Sequence, residues 1–488
     1  MSNLQNTDPC DHSDERGDSR YLMGVCLAAS LGGLLFGFDT AVISGTVDMV
    51  TTQFSLTDLQ SGWFTSSAIV GCIAGALVAG WLGDRFGRKP VLMVSAMLFF
   101  ISALGSAIPP NFRLLIIARV VGGIGVGMAS VLAPLYISEF SPPRLRGRLV
   151  AMYQLSIVLG ILAAYFSNFM LQQHAQGHGE ALSGEGFLHH VLIVQVWRSM
   201  FGAEMIPAGL FFLLLFLVPE SPRWLINAGM GDKGMAILTR ISGRLTAQKE
   251  YDDIQSSSRH DTTSIKELFR PGLRTALMVG VGLSVFGQMT GVNIVIYYGP
   301  SILKQAGLEM GSALQYQVAL GIVNLIFTLI ALSVIDRLGR RPLLIGGMAA
   351  VVLTLGTAGV LFSLGNTPGL LIVLVLGLYI ASVALSICAV IWVLTPEIFP
   401  TRVRGKAMSI ATLCNWGTNA ISAQLFPWYV ATLGMHVGFF TFAGICLIAT
   451  VFFWKFVPET KGKSLEDIER MWSRRPEAGR LKAEDKTV

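Results

Sequence analysis

Charged residues are scarce in this chain. Asp, Glu, Lys and Arg make up 14% of its 488 residues, whereas an average soluble protein has about 25%. Hydrophobic residues account for 52% and occur in runs of roughly 20, the length that crosses a bilayer. This pattern excludes an ordinary soluble protein and indicates a polytopic membrane protein. The net charge of +6 does not indicate a nucleic-acid partner, because the basic residues lie in short loops between the apolar runs.

Several kinds of site are also missing from the sequence. The six cysteines form neither a disulfide framework nor a zinc site, and residues 1–20 lack the apolar core of a cleavable signal peptide. No Walker-type phosphate loop is present. We find no nucleophile, metal cluster or paired carboxylates that would indicate a membrane enzyme. We therefore expect a protein that is not an enzyme and uses neither a cofactor nor ATP.

The hydropathy pattern predicts an all-α protein that crosses the membrane twelve times. The predicted spans, numbered 1 to 12, are 21–46, 62–83, 91–109, 112–136, 148–170, 198–218, 273–300, 314–336, 343–365, 369–397, 404–431 and 435–457. An even number of spans puts both termini on one side of the membrane. Basic residues concentrate in the loops after spans 2, 4, 8 and 10, so the positive-inside rule places both termini in the cytoplasm.

The two halves of the chain repeat each other. The segment GDRFGRKPVL from Gly83 recurs as IDRLGRRPLL from Ile335, and EFSPPRLRGR from Glu139 recurs as EIFPTRVRGK from Glu397. A weaker pair, PESPR and PETKGK, follows spans 6 and 12. This order predicts six spans duplicated in parallel orientation, as in transporters with a binding site near the bilayer midplane.

The duplication divides the chain into five predicted segments. They are a cytoplasmic tail at 1–20, a six-helix bundle at 21–218, a cytoplasmic linker with short helices at 219–272, a second six-helix bundle at 273–457 and a cytoplasmic tail at 458–488. The linker is too short for a catalytic domain, so we expect it only to join the two bundles.

Residues 287–300, GQMTGVNIVIYYGP, place amide and hydroxyl groups within span 7. Polar groups at membrane depth are costly unless they face a partner or a water-filled cavity, and amides beside aromatic rings suit a neutral polyol. We interpret this stretch as the lining of a central sugar cavity, with Gly287, Gly291 and Gly299 as points where the helix can bend. The alternative is a tight contact between helices, because Gly287 and Gly291 also form a small-xxx-small pattern.

Three charged residues lie inside predicted spans and away from the span ends. Asp39 in span 1 and Arg119 in span 4 fall at similar depth, and Glu204 near the start of span 6 lies close to the same layer. A lone charge at this depth is expensive, so we expect Asp39 and Arg119 to pair. The pair is either purely structural or a proton switch, in which Asp39 takes up a proton when Arg119 moves away.

Histidines concentrate in the predicted external loop after span 5. The loop contains His174, His178, His189 and His190. Their spacing would allow metal binding but matches no defined ligand geometry, so we expect a polar loop without a metal.

Taken together, the motifs resemble those of the sugar porter branch of the major facilitator superfamily, and in particular bacterial sugar–proton symporters of the xylose type. The resemblance covers nearly the whole chain. It rests on GGLLFGFDTAVISG from Gly32, GDRFGRK from Gly83, ARVVGGIGVG from Ala118, PESPRW from Pro219, GQMTGVNIVIYYGP, DRLGRR from Asp336, PEIFPTRVRG from Pro396 and Asn415–Trp416. It implies two six-helix bundles, alternating access, and a hexose or pentose such as glucose or xylose held between the bundles. We expect a monomer in the bacterial inner membrane.

The resemblance also implies the residues of the sugar site. They are Gln154, Gln288, Asn293, Tyr298, Asn324, Trp392, Asn415 and Trp416, with Phe36 nearby. The alternative for Trp392 and Trp416 is packing or anchoring at the membrane interface. The family commonly has a Gln pair where this chain has Gly287–Gln288, and Gly-Pro where it has Cys388–Ala389. Xylose-type symporters have Gln in place of Asn415. These departures leave the identity of the sugar open.

The resemblance assigns proton coupling to Asp39, Arg119 and Glu204. Proton-coupled relatives have an Asp at the position of Asp39 and mammalian facilitators have an Asn, although some bacterial facilitators keep the Asp. Sugar–proton symport is therefore the expected function. A passive sugar facilitator is the alternative, and a membrane sugar sensor is a third possibility.

The charged loop motifs are predicted to pair between the two bundles and to hold the outward-open state. The predicted residues of this cytoplasmic gate are Asp84, Arg85, Glu139, Arg146, Asp336, Arg337, Glu397 and Arg404. Glu220 and Glu459 are expected to join from the segments that follow spans 6 and 12. The alternative is a solvated loop whose charges only orient the spans, and both roles can hold together.

Overall fold

The computed structural model describes residues 17–142, 145–178, 189–257, 265–270, 273–365, 368–400, 403–461 and 468. Helices account for nearly all of these residues, and no strand occurs among them. Eleven helical stretches in the described ranges are long and apolar enough to cross a membrane: Ser19–Gly45, Asp58–Phe86, Arg88–Ala107, Phe112–Phe140, Arg146–Gly177, Val196–Leu217, Leu273–Gln305, Met310–Leu338, Arg340–Ser363, Gly369–Ile398 and Met435–Phe456. They are spans 1 to 10 and span 12.

Span 11 is the helix Arg404–Leu433, which has the required length but is too polar to count among the apolar stretches. Its polar residues face the protein, since Asn415 and Asn419 are both buried. A helix satisfies its backbone N–H and C=O groups by internal hydrogen bonds. Its polar side chains are tolerated within the membrane where they face other helices and not lipid. The prediction of an all-α fold with twelve spans is therefore confirmed.

Three spans are broken near mid-depth. Span 7 consists of Leu273–Gln288 and Val292–Gln305, and Gly291 between them adopts a φ of 84°. Glycine reaches this left-handed conformation without steric cost. The predicted bend in span 7 is confirmed at Gly291, whereas Gly287 and Gly299 lie within the two helices. Span 10 breaks at Ser386, and span 6 breaks at residues 203–204. Each break interrupts the regular backbone hydrogen bonds of its helix.

The bundles are held together on one side of the membrane. We call the side where span 1 begins the terminal side and the side where it ends the distal side. Among the described residues, every hydrogen bond and ion pair between the bundles lies in the distal half of the spans. Ser66 Oγ donates to Gln424 Oε1 at 2.7 Å. Asp48 at the end of span 1 accepts from Lys304 Nζ and from Ser301 Oγ, both at 2.7 Å. The structure is thus closed on the distal side.

We expect Lys304→Gln to favour opening of the distal side, because it removes the ion pair between Asp48 and Lys304. Both side chains are partly exposed, and such pairs contribute about 0.2–1 kcal/mol, a shift of up to about fivefold in the ratio of open to closed molecules. A cysteine at Val430, which lines the distal recess beside Lys304, should react faster with a membrane-impermeant maleimide in this variant. Lys304→Arg keeps the charge and serves as control. Equal labelling rates would show that the pair does not hold the distal side.

The linker between the bundles is helical, as predicted from the sequence. Helices Pro222–Asn227, Gly231–Ser242 and Arg244–Ser257 enclose a small apolar core around Leu238. The module also contacts the start of span 1, where the guanidinium of Arg240 lies 3.7 Å from the ring centroid of Tyr21. The linker is therefore packed against the N-terminal bundle.

Candidate functional site

A cavity of about 150 Å³ lies between the two bundles, from mid-depth toward the terminal side. Spans 1 and 5 line it from the N-terminal bundle, and spans 7, 8, 10 and 11 line it from the C-terminal bundle. The predicted sugar-site residues that line it are Phe36, Gln154, Gln288, Asn293, Asn324, Trp392, Asn415 and Trp416. One water molecule occupies about 30 Å³ in the liquid, so the cavity can hold several waters or one small solute.

Three amides in the wall are linked in a chain. Asn293 Nδ2 donates to Gln288 Oε1 at 2.6 Å, and Gln288 Nε2 donates to Asn415 Oδ1 at 3.0 Å. Gln288 ends the first helix of span 7 and Asn293 lies just after the break, so the break brings the two side chains together. Each amide has one carbonyl and two N–H groups. The carbonyl oxygen of Asn293 and the N–H groups of Asn415 therefore remain available to hydrogen-bond a solute.

Two further amides are open to a solute. Gln154 of span 5 and Asn324 of span 8 line the cavity from opposite bundles. Neither side chain is hydrogen-bonded to the described part of the chain, and neither is fully buried. A neutral solute with several hydroxyl groups can therefore be bound from both bundles at once.

Tyr298 lies outside the cavity, which corrects one predicted sugar contact. Its hydroxyl donates to the carbonyl of Ala423 at 2.9 Å, and its ring packs 5.1 Å from that of Phe426. The preceding residue Tyr297 lines the cavity instead and accepts a hydrogen bond from Asn419 Nδ2 at 3.0 Å. Successive residues of a helix point about 100° apart, so only one of the two tyrosines can face the solute.

Three polar residues of the cavity wall were not predicted, namely Thr40, Thr328 and Asn419. Tyr297 belongs to the predicted lining stretch but was not assigned as a sugar contact. Each of the four lies four positions after a predicted contact, namely Phe36, Asn324, Asn415 or Asn293. Positions i and i+4 lie on the same face of a helix, so this spacing is the signal that would have found them.

Aromatic rings mark the two ends of the cavity. Phe36 of span 1 and Trp416 of span 11 bring the bundles into contact, with ring centroids 5.5 Å apart. Trp392 lies nearer the terminal side and is 48% exposed although it lines the cavity. A flat ring can pack on the C–H face of a bound sugar, and the exposure of Trp392 shows that its end of the cavity is not sealed.

A buried charged group lies in the N-terminal bundle. Arg119 Nη1 is 2.5 Å from Asp39 Oδ1, and both side chains are almost fully buried. This confirms the predicted pair. Glu204 lies in the break of span 6, is 1% exposed, and interacts electrostatically with both residues. Its Oε1 has no hydrogen-bond partner in the described part of the chain, and neither has Arg119 Nε.

The balance of charge in this group depends on a proton. Asp39 and Glu204 supply two carboxylates, whereas Arg119 supplies one guanidinium. If both acids are ionised, a net negative charge is buried away from water, which is unfavourable. One proton shared by the two acids makes the group neutral. The group is therefore suited to binding and releasing a single proton.

On the terminal side, each bundle contains its own network of ion pairs. Arg88, the first residue of span 3, lies 3.1 Å from Asp84 and 3.0 Å from Glu139. The C-terminal bundle repeats this arrangement with Arg340, Asp336 and Glu397, at 3.1 and 3.2 Å. Ion pairs that connect these two networks across the bundles, which were predicted for the outward-open state, do not occur among the described residues of this distally closed structure.

The arginines of these networks within each bundle are not those predicted for the gate of the outward-open state, which this distally closed structure does not test. Here Arg88 and Arg340 make the ion pairs, and the roles of Arg85, Arg146, Arg337 and Arg404 in the outward-open gate stay predictions. Arg85 lies over the rings of Trp81 and Phe86, and Arg146 and Arg404 donate to backbone carbonyls. Arg337 makes no ion pair with any described residue. Asp84 and Arg88 lie on either side of the turn at Gly87, and Asp336 and Arg340 lie on either side of the turn at Gly339, so each turn brings an acid and an arginine together.

Glu220 and Glu459 join these networks through backbone N–H groups, as expected. Glu220 accepts from the first two residues of span 3 at 3.0 and 3.2 Å, and Glu459 accepts from the first two residues of span 9 at 3.1 and 2.9 Å. Burial raises the pKa of Glu220 despite these bonds. Burial also raises the pKa of Glu459, but its backbone N–H donors together outweigh burial and leave the pKa below its usual value. As pH falls, Glu220 should therefore protonate first.

A glycine precedes each network arginine and is required for the geometry. Gly87 has a φ of 100°, and a Cβ there would lie 2.2 Å from Glu220 Oε2. We expect Gly87→Ala to destabilise the protein by about 1–3 kcal/mol, because it combines backbone strain with a clash. Thermal unfolding in detergent tests this, with Gly346→Ala as control because a Cβ at Gly346 would meet nothing within 4 Å. Equal melting temperatures for the two variants would contradict the expectation.

Part of the histidine loop lies outside the described residues, namely 179–188 and the side chain of His178. His174 lies in span 5, and His189 and His190 lie just before span 6. Within the described ranges, no three His, Cys, Asp or Glu side chains are grouped so that they could hold a metal ion.

The sequence profile of a family described as "Sugar (and other) transporter" matches residues 25–472. The chain belongs to this sugar transporter family. The arabinose-proton symporter of Bacillus subtilis is 39% identical over 454 residues, covering 93% of this chain and 95% of the relative. The D-xylose-proton symporter of Escherichia coli K12 is 38% identical, covering 93% and 96%.

Solved structures of the same family agree with this fold. The partially occluded inward open conformation of the Escherichia coli xylose transporter XylE gives a TM-score of 0.79 at 36% identity, covering 91% of this chain and all of that chain. XylE bound to 6-bromo-6-deoxy-D-glucose gives a TM-score of 0.74, also at 36% identity, with 93% and 99% covered. The sugar transporter fold places the cavity between two six-helix bundles, and the protein is a multi-pass membrane transporter rather than an enzyme.

Proposed function

We propose that this protein imports a monosaccharide together with a proton, by alternating access of the central cavity to the two sides of the membrane. The observation that carries the proposal is the Asp39–Arg119–Glu204 group, which is buried in one bundle beside an amide-lined cavity. The names of the relatives, which are arabinose- and xylose-proton symporters, support it.

The sugar is bound by neutral groups. The free donors and acceptors of Gln154, Asn293, Asn324 and Asn415 bind its hydroxyl groups, and Trp392 packs against a C–H face. No charged side chain lines the cavity in the described part of the chain. The site therefore favours a small neutral polyol over an ion or an acidic substrate.

The proton controls movement of the bundles. Loss of the proton strengthens the attraction of Arg119 to Asp39 and Glu204, whereas a bound proton weakens it and frees the guanidinium to move. Sugar entry and proton entry are coupled because both favour the same conformational change. One proton that crosses a potential of 100 mV releases about 2.3 kcal/mol, enough to hold roughly a 40-fold sugar gradient.

The distally closed structure corresponds to the inward-facing state if the termini are cytoplasmic, as the positive-inside rule predicts. The TM-score of 0.79 with a partially occluded inward open structure of XylE supports this assignment. We place the protein in the bacterial inner membrane. A monomer is sufficient, because one chain supplies the whole wall of the cavity.

Uptake of labelled xylose, arabinose and glucose into transport-deficient cells tests the function. We expect accumulation above the external concentration, and we expect a protonophore to abolish it. Sugar that only equilibrates, with or without the protonophore, would show a passive facilitator. Failure of all three sugars to enter would count against monosaccharide transport by this cavity.

A further inference from the structure

A short helix just beyond the distal end of span 1 contacts the C-terminal bundle. It is Val47–Gln53, which we call the gate helix. Its residue Asp48 accepts hydrogen bonds from Lys304 and Ser301 of span 7, both at 2.7 Å. A tight 3₁₀ turn at Ile43–Gly45 separates the gate helix from the long helix of span 1. The gate helix therefore depends on side-chain contacts to hold it against its own bundle.

Side-chain hydrogen bonds supply these contacts with the N-terminal bundle. Trp197 Nε1 donates to Gln53 Oε1 at 2.7 Å, and Thr51 Oγ1 donates to Ser61 Oγ at 3.0 Å. Gln53 is exposed, whereas Trp197 is 1% exposed. A buried indole N–H needs an acceptor, so the bond from Trp197 ties this surface helix to the interior of the bundle.

Trp197 belongs to the helix Val196–Gly202, which extends from the gate helix to the buried charged group. We call it the connecting helix. One turn after Trp197, the ring centroid of Phe201 lies 5.3 Å from the guanidinium carbon of Arg119, within the range of a cation–π interaction. Just beyond the connecting helix, in the break of span 6, Glu204 interacts electrostatically with the same guanidinium. One short helix thus contacts the gate helix at its start and the charged group at its end.

Aromatic rings pack tightly around the connecting helix. Trp197 and Phe201 meet edge to face with centroids 6.5 Å apart. Phe64 packs 6.2 Å from Phe201, and Phe54, which directly follows the gate helix, packs 6.2 Å from Trp197. Phe112 completes the cluster at 6.4 Å from Phe64 and 6.1 Å from Phe54. Close-packed interiors have low compressibility and transmit strain, so a shift of Phe201 should also displace Trp197 and Phe54.

On the basis of the proposed proton coupling, we propose that the connecting helix transmits the protonation state of the buried charged group to the distal gate. Phe201 and Trp197 are its two positioning residues. Attraction to Asp39 and Glu204 holds Arg119 against the ring of Phe201. Uptake of a proton weakens this attraction, which frees the connecting helix to shift. The gate helix then loses its support, and its contacts with span 7 loosen.

Span 1 provides a second physical connection, because Asp39 and the gate helix follow each other in the chain. The turn at Ile43–Gly45 interrupts this route. Substitutions in the connecting helix leave span 1 unchanged, so they distinguish the two routes. Energetic coupling between two sites is typically 5- to 150-fold in an equilibrium constant, which is large enough to measure through the opening of the distal side.

Labelling of a cysteine at Val430 reports this opening and is measured without sugar or a pH gradient. Glu204→Gln removes one of the attractions that hold Arg119, so it should raise the labelling rate about fivefold or more. In the Trp197→Phe background, which keeps a ring but lacks the indole N–H, the same substitution should raise the rate less than about twofold. Phe201→Leu removes the ring beside Arg119 and should suppress the response in the same way.

Ser61→Ala is the matched control. It removes the other hydrogen bond that holds the gate helix and leaves the connecting helix intact, so the response to Glu204→Gln should stay at about fivefold or more. A wild-type background that does not respond to Glu204→Gln would overturn the proposal. A full response in both Trp197→Phe and Phe201→Leu would also overturn it and would place the connection in span 1. A response lost equally in Ser61→Ala would contradict it as well.

This result is separate from the test of the proposed function. Sugar that only equilibrates in the uptake experiment would count against proton coupling by the whole protein. Labelling at Val430 that ignores Glu204, in a protein that accumulates sugar, would count only against the connecting helix.

Discussion

Asp39→Asn will abolish accumulation of sugar against its gradient but preserve exchange of sugar across the membrane. The substitution keeps the size of the side chain and removes its charge. Arg119 then faces one acid, Glu204, and the buried group is neutral without a proton. Sugar movement no longer requires proton movement, so the accumulation ratio should fall from as much as about 40-fold at 100 mV to one.

Proteoliposomes allow both activities of Asp39→Asn to be measured. Counterflow of labelled sugar should continue at a rate similar to that of the wild type, whereas a pH gradient should no longer drive uptake. Asp58→Asn is a matched control, because Asp58 is exposed at the start of span 2, remote from Arg119. Continued concentrative uptake by Asp39→Asn would show that the Asp39–Arg119 pair is only structural.

Gln288→Ala will weaken sugar binding by about 10- to 100-fold. Gln288 holds the amides of Asn293 and Asn415 in place through bonds of 2.6 and 3.0 Å. Without it, both amides lose a partner and their fixed orientation, and each unsatisfied buried group costs about 1–3 kcal/mol. The substitution should raise the KM for sugar with a smaller effect on the maximal rate, because the proton group is untouched.

Quenching of tryptophan fluorescence on addition of sugar provides a binding measurement for Gln288→Ala, since Trp392 and Trp416 both line the cavity. Gln305→Ala controls for loss of a glutamine, because Gln305 is an exposed residue at the distal end of span 7. A Kd within twofold of the wild-type value would mean that the amide chain does not organise the sugar site.

Much of the architecture could be predicted because the bilayer imposes length and composition on each span. The pair formed by Asp39 and Arg119 was also predictable, because a charged side chain inside a membrane needs a partner of opposite charge and few other charged residues lie at that depth. The bend at Gly291 followed from its residue type. The break at Ser386 did not, because the sequence around it is apolar and contains no glycine or proline.

The site was harder to predict than the fold because it depends on the rotation of each helix about its axis. Tyr297 and Tyr298 are adjacent and chemically identical, and only the orientation of the second helix of span 7 decides which one faces the cavity. The i,i+4 spacing from Asn293 to Tyr297 indicates that Tyr297 lies on the same helix face as Asn293 and therefore faces the cavity. The break in span 6 is marked by Pro207, which lacks the N–H that would bond to the carbonyl of Ala203, but the sequence does not reveal that Oε1 of Glu204 is left without a hydrogen-bond partner in the described part of the chain.

The polarity of span 11 has a consequence for how the protein is made. Arg404–Leu433 carries Asn415, Asn419 and Gln424, and it lacks the hydropathy that lets a segment partition into lipid on its own. During synthesis it should leave the translocation channel only when a neighbour can accept its polar side chains. Met435–Phe456, which follows after a single residue and packs against it, is suited to enter the bilayer together with it as a hairpin. The polar side chains of span 11 thus make insertion of the last two helices a joint event.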